Sequence, residues 1–418
     1  MVVGMADTVM VGQLGATPLA AVSLANNIFV IGLVFGLGLA AGLTPLAGKD
    51  FAGGDRLRAT AWFKHGIFMF PAIGMVQAFL MALVVFLLPY MGQPADVVQL
   101  AVPYYLAVAA SFIPFMFFAV FKQYAEGLGN TRIAMAITIS VNVLNIVLNY
   151  LLIYGKFGFP EWGVFGAGAA TFIARLLMPV IFIIVFFKSS FFRPDIENWR
   201  KCSLSAKSAR RLLNIGFPVA GQYIVEVATF SLGGIMAGWL GAAALAANQI
   251  VLSLSGFTYM VAAGFAAAVT IKVSHFRGRG EINQARNAAF ASLHQVLFFM
   301  GISVSVFILF RFKIPALFVP DEEVIKITAL LMLIAGLYQL FDGMQVVLLG
   351  ALRGFEDVKI PMFIQTGIYF FVVLPICYVL AFTYKLGVAG IWTGYLAGLF
   401  LVSMLLLLRF NKRFPHSV

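Results

Sequence analysis

The chain has 418 residues, of which 62% are hydrophobic and 11% are charged, and its mean hydropathy is +0.99. A water-soluble domain cannot cover that much apolar surface with so few charges, so the composition indicates an integral membrane protein. The alternating segments of about ten residues that build a membrane β-barrel are not found, so we expect an all-α fold.

Apolar runs of about 20 residues, the length that crosses a bilayer as a helix, recur along the chain. We predict twelve membrane-spanning helices, at 1–13, 18–46, 61–89, 97–121, 132–154, 164–187, 208–238, 244–271, 284–310, 324–349, 359–382 and 387–408. If the loop after the second helix is cytoplasmic, 22 Lys and Arg residues lie on the cytoplasmic side and 5 on the other, with Arg175 inside a helix. Basic residues near helix ends stay cytoplasmic. We therefore expect a multi-pass protein of the cell (inner) membrane with a cytoplasmic C-terminus, and the net charge of +12 requires no nucleic-acid partner.

The second half of the chain repeats the first. GQLGATPLAA at 12–21 returns as GWLGAAALAA at 238–247, GLGNTRIAM at 127–135 as GFEDVKIPM at 354–362, and GVFG at 163–166 as GVAG at 387–390. This spacing predicts two pseudo-symmetric six-helix bundles. We expect an N-terminal lobe at 1–187, a cytoplasmic linker at 188–207 and a C-terminal lobe at 208–418. The counterpart of the seventh helix would begin about 17 residues before Met1, so we expect the first helix to be truncated at its N-terminus.

Three predicted helices carry an acid well inside apolar sequence: Asp7, Glu226 and Asp342. Each is unfavourable by about 2.5 to 3.5 kcal/mol at the centre of a membrane helix, which favours a functional role. A carboxylate that faces an internal cavity can take a proton or bind a small cation. The alternative is a structural ion pair, but Arg175 is the only mid-helix arginine and can neutralise at most one of the three.

Oxygen-bearing side chains accompany these acids. Tyr338 lies four residues before Asp342 and therefore on the same helix face, and Gln345 follows three residues later. A second stripe consists of Asn142, Asn145 and Asn149, which either face a polar cavity or form hydrogen bonds between helices. We find no nucleotide-binding loop, no nucleophile with a catalytic base, and no Cys/His metal cluster. We therefore expect neither enzymatic activity nor a cofactor.

Four stretches resemble the multidrug and toxic compound extrusion (MATE) family: ADTVMVGQLGATPLAA, FKQYAEGLGNTRIAM, GFPVAGQYIVEVATFSLGGIMAGWLGAAALAANQI and YQLFDGMQVVLLGALRGFEDVKIP. The resemblance covers essentially the whole chain. Glu226 in the seventh helix and the Tyr338/Asp342 pair in the tenth resemble the NorM-like branch. The resemblance implies export of organic, often cationic, drugs in exchange for Na⁺ or H⁺, by alternating access between two lobes.

The resemblance also implies the site residues. The cation site of the C-terminal lobe would consist of Glu226, Asp342 and Tyr338, which could hold Na⁺. In the N-terminal lobe, Asp7 would be the acid, with Asn145, Asn149 and Thr171 as its partners. Asp7, Gln249 and Asp342 would contact the substrate. Beyond the drug and membrane lipid we expect no partner, and the protein is expected to be a monomer.

Three other classes of membrane protein agree less well with the sequence. A flippase for a lipid-linked saccharide would need several basic residues in its cavity to bind phosphates, and only Arg175 lies inside a predicted helix. A receptor or scaffold would leave three acids inside the membrane without a function. A major-facilitator transporter also has twelve helices, but GKDFAGGDRLR at 48–58 lacks the spacing of the motif that such proteins carry between their second and third helices.

Overall fold

The computed structural model describes the backbone of residues 2–414 and the side chains of residues 7–414. Within these residues the chain folds into helices and turns, without a β-strand. Eleven helical segments are long and apolar enough to cross a membrane, from Ala16–Ala52 to Val388–Arg413. A shorter helix, Val2–Gly12, precedes them. The predicted all-α membrane fold is confirmed.

The helices of the N-terminal half are α1 (Val2–Gly12), α2 (Ala16–Ala40), α3 (Leu43–Ala52), α4 (Arg56–Leu83), α5 (Ala95–Ala110), α6 (Phe112–Gly127), α7 (Thr131–Tyr154), α8 (Gly163–Lys188) and α9 (Arg193–Asn198). The C-terminal half contains α10 (Ala206–Trp239), α11 (Ala242–Gly278), α12 (Ile282–Leu309), α13 (Lys313–Ala316), α14 (Glu322–Gly354), α15 (Lys359–Ile368), α16 (Leu374–Tyr378) and α17 (Val388–Arg413). Short 3₁₀ turns follow α4, α7 and α8, and π-helical turns at Tyr369–Val373 and Val379–Thr383 flank α16.

Two of the predicted single helices are broken in the middle of a span. The second span breaks at Ala41 and Gly42 between α2 and α3, and the fourth breaks at Ser111 between α5 and α6. In each case a proline follows: Pro45 has no N–H for the carbonyl of Ala41, and Pro114 has none for the carbonyl of Ala110. Each pair of helices still forms one continuous apolar span, Ala16–Ala52 and Ala95–Gly127.

The internal repeat is visible in the bounds of the helices. The span Ala16–Ala52 corresponds to Ala242–Gly278, and α4 corresponds to α12, with both ends of each pair displaced by 226 residues. The span Ala95–Gly127 corresponds to α14 with a displacement of 227 residues. The repeat therefore extends from the sequence motifs to the lengths of the helices.

By their internal packing, the residues form two compact units, 1–220 and 221–418, and the boundary falls inside α10. The core of the second unit is built around α14, which contributes Leu331, Val347 and Leu352 as fully buried side chains. The segment between α8 and α10 belongs to the first unit. Its short helix α9 is fixed there by the carboxylate of Asp195, which accepts hydrogen bonds from Arg56, Thr60 and Tyr124.

Candidate functional site

One face of α14 carries the polar side chains that the sequence singled out. Tyr338, Asp342 and Gln345 follow at positions i, i+4 and i+7, and all three are buried, with Asp342 only 2% exposed. α14 runs through the core of the second unit and packs against α11, α12 and α17. This central position explains why its polar face turns toward protein instead of lipid.

Glu226 of α10 faces the same region. The carboxylates of Glu226 and Asp342 act on each other electrostatically, although they lie on different helices. Among residues 7–414, neither carboxylate forms a hydrogen bond or an ion pair with a protein side chain. Two acids, one buried and one half-buried, thus lie close together without a basic partner among residues 7–414. This is the arrangement expected of a site that binds a proton or a cation from outside the protein.

Aromatic side chains pack beside Tyr338. The ring of Trp392 meets the ring of Tyr338 edge to face, with 5.4 Å between the ring centroids, and Phe230 lies on the other side at 6.3 Å. The indole nitrogen of Trp392 donates a hydrogen bond to Asn248, at 3.0 Å. Tyr395 contacts both Phe230 and Trp392. These contacts fix the rotamer of Tyr338 and with it the position of its hydroxyl group.

The first unit holds the third acid. The side-chain amide of Asn149 donates a hydrogen bond to the carboxylate of Asp7, and it also lies 3.3 Å from the side-chain oxygen of Asn145. Asn145 and Asn149 are buried, whereas Asp7 and Asn142 are half-buried. The side-chain oxygen of Asn149 has no hydrogen-bond partner among the described residues. The three side chains thus provide carboxylate and amide oxygens at one place.

Arg175 lies in the same unit, close enough to act electrostatically on Asp7. Its guanidinium group donates a hydrogen bond to the hydroxyl of Ser111, at 2.8 Å, and lies over the rings of Phe29 and Phe115. The two units therefore differ in charge: Asp7 has an arginine nearby, whereas no arginine among residues 7–414 forms an ion pair or a hydrogen bond with Glu226 or Asp342. This difference follows from the sequence, in which Arg175 is the only mid-helix arginine.

The structure brings together most of the residues singled out in the sequence, in two groups. Glu226, Asp342 and Tyr338 meet in the second unit, and Asp7, Asn145 and Asn149 meet in the first. Thr171 is half-buried on α8, and no side-chain hydrogen bond joins it to the described residues of the Asp7 group. Gln249 is exposed on α11 and shares no contact with the acids among the described residues.

Sequence reasoning missed several neighbours of the acids. Tyr369, Trp392 and Tyr395 line the polar region of the second unit, and all three are buried. They looked like ordinary aromatic residues in apolar helices, because a hydroxyl group on a membrane helix carries too little polarity to stand out. Within the described residues, three or more His, Cys, Asp or Glu side chains do not converge on one point, so a cation here would be bound by two carboxylates together with neutral oxygens.

The acids within apolar helices and the internal repeat are typical of a multi-pass membrane transporter. The MatE family model matches residues 1–151 and 218–379. The chain belongs to this family.

Relatives and a solved structure agree with this assignment. The chain is 31% identical to the probable multidrug resistance protein NorM of Pasteurella multocida, with 98% of this chain and 89% of that protein aligned. It is also 31% identical to the multidrug resistance protein NorM of Photobacterium profundum, over 97% of this chain and 90% of that protein. The crystal structure of the eukaryotic MATE transporter AtDTX14 matches 98% of this chain and 90% of that chain, with a TM-score of 0.86 and 21% identity, and so supports the fold.

Proposed function

We propose that this protein is a multidrug efflux antiporter, which exports organic and often cationic compounds in exchange for Na⁺ or H⁺. It would work in the inner membrane, with its C-terminus in the cytoplasm, as a monomer. The names of its NorM relatives support multidrug export. The exchange mechanism and the coupling ion are inferred from the acids.

The observation that carries the proposal is the pair of neighbouring acids Glu226, which is half-buried, and Asp342, which is buried, without a basic partner among the described residues. Two like charges in a region of low dielectric constant attract any cation that can enter. A proton or Na⁺ would neutralise the site, and Tyr338 would supply a neutral oxygen to Na⁺. Asp7 with Asn145, Asn149 and Thr171 would be the second acidic site, and Asp7, Gln249 and Asp342 would contact the drug.

Competition at these carboxylates is sufficient to couple the two flows. A cationic drug and the coupling ion would each be attracted by the same negative charge, so that binding of one disfavours binding of the other. The ion would also favour one of two arrangements of the six-helix halves, as alternating access requires. For a neutral drug, the one elementary charge of the ion that crosses 100 mV provides about 2.3 kcal/mol, enough to concentrate the drug more than tenfold. For a monovalent cationic drug exchanged for one ion the two charges cancel, and the concentration gradient of the ion drives export.

The distribution of charge is less suited to a flippase for a lipid-linked saccharide. Such a substrate carries phosphate groups, which call for several arginines or lysines in a central cavity. Arg175 is the single arginine in the middle of a membrane helix, and its guanidinium group is already engaged with Ser111 and two phenylalanine rings.

Efflux from proteoliposomes tests the proposal. Vesicles that contain the purified protein are loaded with ethidium, a fluorescent organic cation, and a Na⁺ gradient or a pH gradient is imposed separately. We expect one of the two gradients to drive ethidium out, and no loss from vesicles without protein. If neither gradient drives efflux although the protein is folded and inserted, the antiport proposal is wrong.

A further inference from the structure

Gln345 and Tyr369 form a hydrogen-bonded pair close to the two acids, and the proposed exchange of ion and drug does not involve this pair. The side-chain nitrogen of Gln345 lies 2.9 Å from the hydroxyl of Tyr369, and the hydroxyl lies 3.1 Å from the side-chain oxygen of Gln345. Both side chains are buried. Gln345 lies three residues after Asp342 on α14, and Glu226 and Asp342 both act electrostatically on the Tyr369 hydroxyl. The pair is therefore part of the surroundings of the acids.

The backbone at Tyr369 is specialised. Tyr369 begins the first of the two π-helical turns, a conformation that is rare and frequently occurs at functional sites. Five buried residues follow one another at intervals of four: Gln365, Tyr369, Val373, Cys377 and Ala381. In an α-helix each four-residue step drifts by about 40° around the axis. The wider π turns counteract this drift, so that the row of residues from Tyr369 to Ala381 stays on the buried face of the helix.

The chemistry of the pair allows two arrangements in the same geometry. A phenol and a primary amide can each donate and accept a hydrogen bond. In one arrangement the Tyr369 hydroxyl donates to the oxygen of Gln345. In the other, the amide of Gln345 donates to the phenol oxygen, and the Tyr369 hydroxyl is free to donate to a carboxylate. The distances from the Tyr369 hydroxyl to the nitrogen and to the oxygen of the Gln345 amide are compatible with either arrangement.

We propose that Tyr369 is a positioning residue of the acid site, and that Gln345 holds its hydroxyl when the acids are neutralised. While Glu226 and Asp342 are charged, the hydroxyl donates to them and stabilises the ion-free state. When a cation binds, the hydroxyl turns back to the oxygen of Gln345. The pair thus weakens cation binding and assists release of the ion. This inference rests on the proposed ion exchange.

Among the described residues, the charged and titratable side chains around the site are those of Glu226 on α10 and Asp342 on α14, together with four further phenols. These phenols are Tyr338 on α14, Tyr223 on α10, Tyr259 on α11 and Tyr395 on α17. Arg353, at the end of α14, acts on Tyr259. The Tyr369 hydroxyl differs from these phenols because the side-chain amide of Gln345 is its hydrogen-bond partner, and the side chain of Gln365 on α15 also lies within its reach.

Two variants are expected to change cation affinity in opposite directions. Tyr369→Phe removes the donor to the charged acids, so the cation should bind more tightly, by about tenfold for the loss of one hydrogen bond to a charged group. Gln345→Leu removes the acceptor on α14 and leaves Gln365 within reach, so the hydroxyl stays more of the time on the carboxylates and cation binding should weaken by a smaller factor. The double variant should behave like Tyr369→Phe, because without the hydroxyl Gln345 has no effect.

The affinity is measured in two ways on the full-length protein. The half-saturating Na⁺ concentration for ethidium efflux is determined in proteoliposomes at constant pH, and the half-maximal pH is determined without Na⁺. Binding of radioactive Na⁺ to the purified protein gives the equilibrium value where Na⁺ is the coupling ion. Tyr105→Phe is the matched control, because Tyr105 is also buried and its hydroxyl has no hydrogen-bond partner among the described residues.

Damage to the fold would lower the maximal rate of ethidium efflux or the yield of purified protein, but it would not increase the affinity for the cation. Opposite shifts in the two single variants, with Tyr105→Phe unchanged, would therefore support the inference. Unchanged affinities, or shifts in the same direction, would overturn it while ion-driven efflux by the unmodified protein keeps the antiport proposal intact. Absence of ion-driven efflux in the unmodified protein would overturn both.

Discussion

At the scale of single residues, the chemistry depends on two carboxylates, one half-buried and one buried, that have no counter-charge among the described residues. Glu226 and Asp342 come from α10 and α14, and each acts electrostatically on the hydroxyl of Tyr338. A buried acid without a partner destabilises a membrane protein, so these residues would be hard to explain by stability alone. Their removal should therefore impair function and leave folding intact.

We predict that Asp342→Asn and Glu226→Gln insert normally but lose drug export. Each substitution keeps the shape of the side chain and removes the charge that attracts the coupling ion. Survival of cells that express each variant in the presence of ethidium, with protein levels measured in the membrane, tests this. Glu323→Gln is the control, because Glu323 is an exposed acid in the first turn of the same helix. Full resistance in cells with both changes would remove these acids from the mechanism.

A second residue-scale prediction concerns Gly233 on α10. A Cβ atom placed there would lie 1.6 Å from the hydroxyl oxygen of Tyr395, whereas a Cβ atom at Gly234 would meet nothing within 4 Å. Gly233→Ala should therefore lower the free energy of unfolding by about 1 to 3 kcal/mol through overpacking. Gly234→Ala should be neutral or stabilising, because alanine favours the helix by about 1 kcal/mol.

Thermal unfolding in detergent compares the two glycine variants. Adding Tyr395→Phe to Gly233→Ala should recover part of the lost stability, since the hydroxyl group is the nearest obstacle and the ring carbon behind it lies at 2.7 Å. Equal melting temperatures for Gly233→Ala and Gly234→Ala would contradict the prediction, because they would show that α10 and α17 can move apart without loss of stability.

At the scale of elements, the segment between the two halves is a fixed part of the first unit. Asp195 on α9 is fully buried, and Arg56 at the start of α4 binds both of its carboxylate oxygens, at 3.0 and 2.6 Å. Two further contacts anchor the same segment: Lys64 donates to the carbonyl of Cys202, and His65 accepts from the amide of Ser205. The sequence suggested a polar, basic linker, but it did not indicate that one of its acids is its anchor.

We predict that Arg56→Met destabilises the protein by about 3 to 5 kcal/mol, because it leaves the carboxylate of Asp195 buried without a counter-charge. Asp195→Asn should be milder, since Thr60 and Tyr124 can still donate to its side-chain oxygen. Arg193→Met provides the control, because Arg193 and Glu197 form an exposed ion pair that contributes little.

Reaction of Cys202 with a thiol-specific fluorescent dye during heating reports on this linker directly, since Cys202 is buried and its thiol contacts the carbonyl of Leu57. A matching variant in which Cys377 is replaced by Ala isolates the signal. If the Arg56→Met and Arg193→Met variants unfold at the same temperature, the ion pair between Arg56 and Asp195 does not stabilise the linker.

At the scale of the whole molecule, the sequence predicted the class of fold because composition, helix length and an internal repeat all give the same answer. It also found the acids, since a charge inside a membrane helix stands out against its neighbours. It could not find the breaks at Ser111 and Gly42 or the π turn at Tyr369, because these depend on how a proline's missing hydrogen bond is accommodated by packing. The phenol groups around the acids were missed for a similar reason, since aromatic residues are common in every span.

The spread of polar residues over several helices is itself informative. In the second unit the acids come from α10 and α14, and their aromatic and amide neighbours come from α11, α17 and the π turn Tyr369–Val373. Sequence spacing can place residues on one face of one helix, as with Tyr338 and Asp342, but it cannot tell which faces of different helices meet. That information comes from tertiary packing.

We expect a coupling ion and an organic cation to exclude each other at Glu226 and Asp342. Displacement of bound ethidium from the purified protein measures this exclusion, by titration with Na⁺ at alkaline pH and with acid in the absence of Na⁺. At least one of these titrations should release ethidium from the unmodified protein, and the double variant Glu226→Gln, Asp342→Asn should abolish this ion-dependent release. Ethidium that stays bound in both titrations, or that is released equally from the double variant, would contradict this expectation.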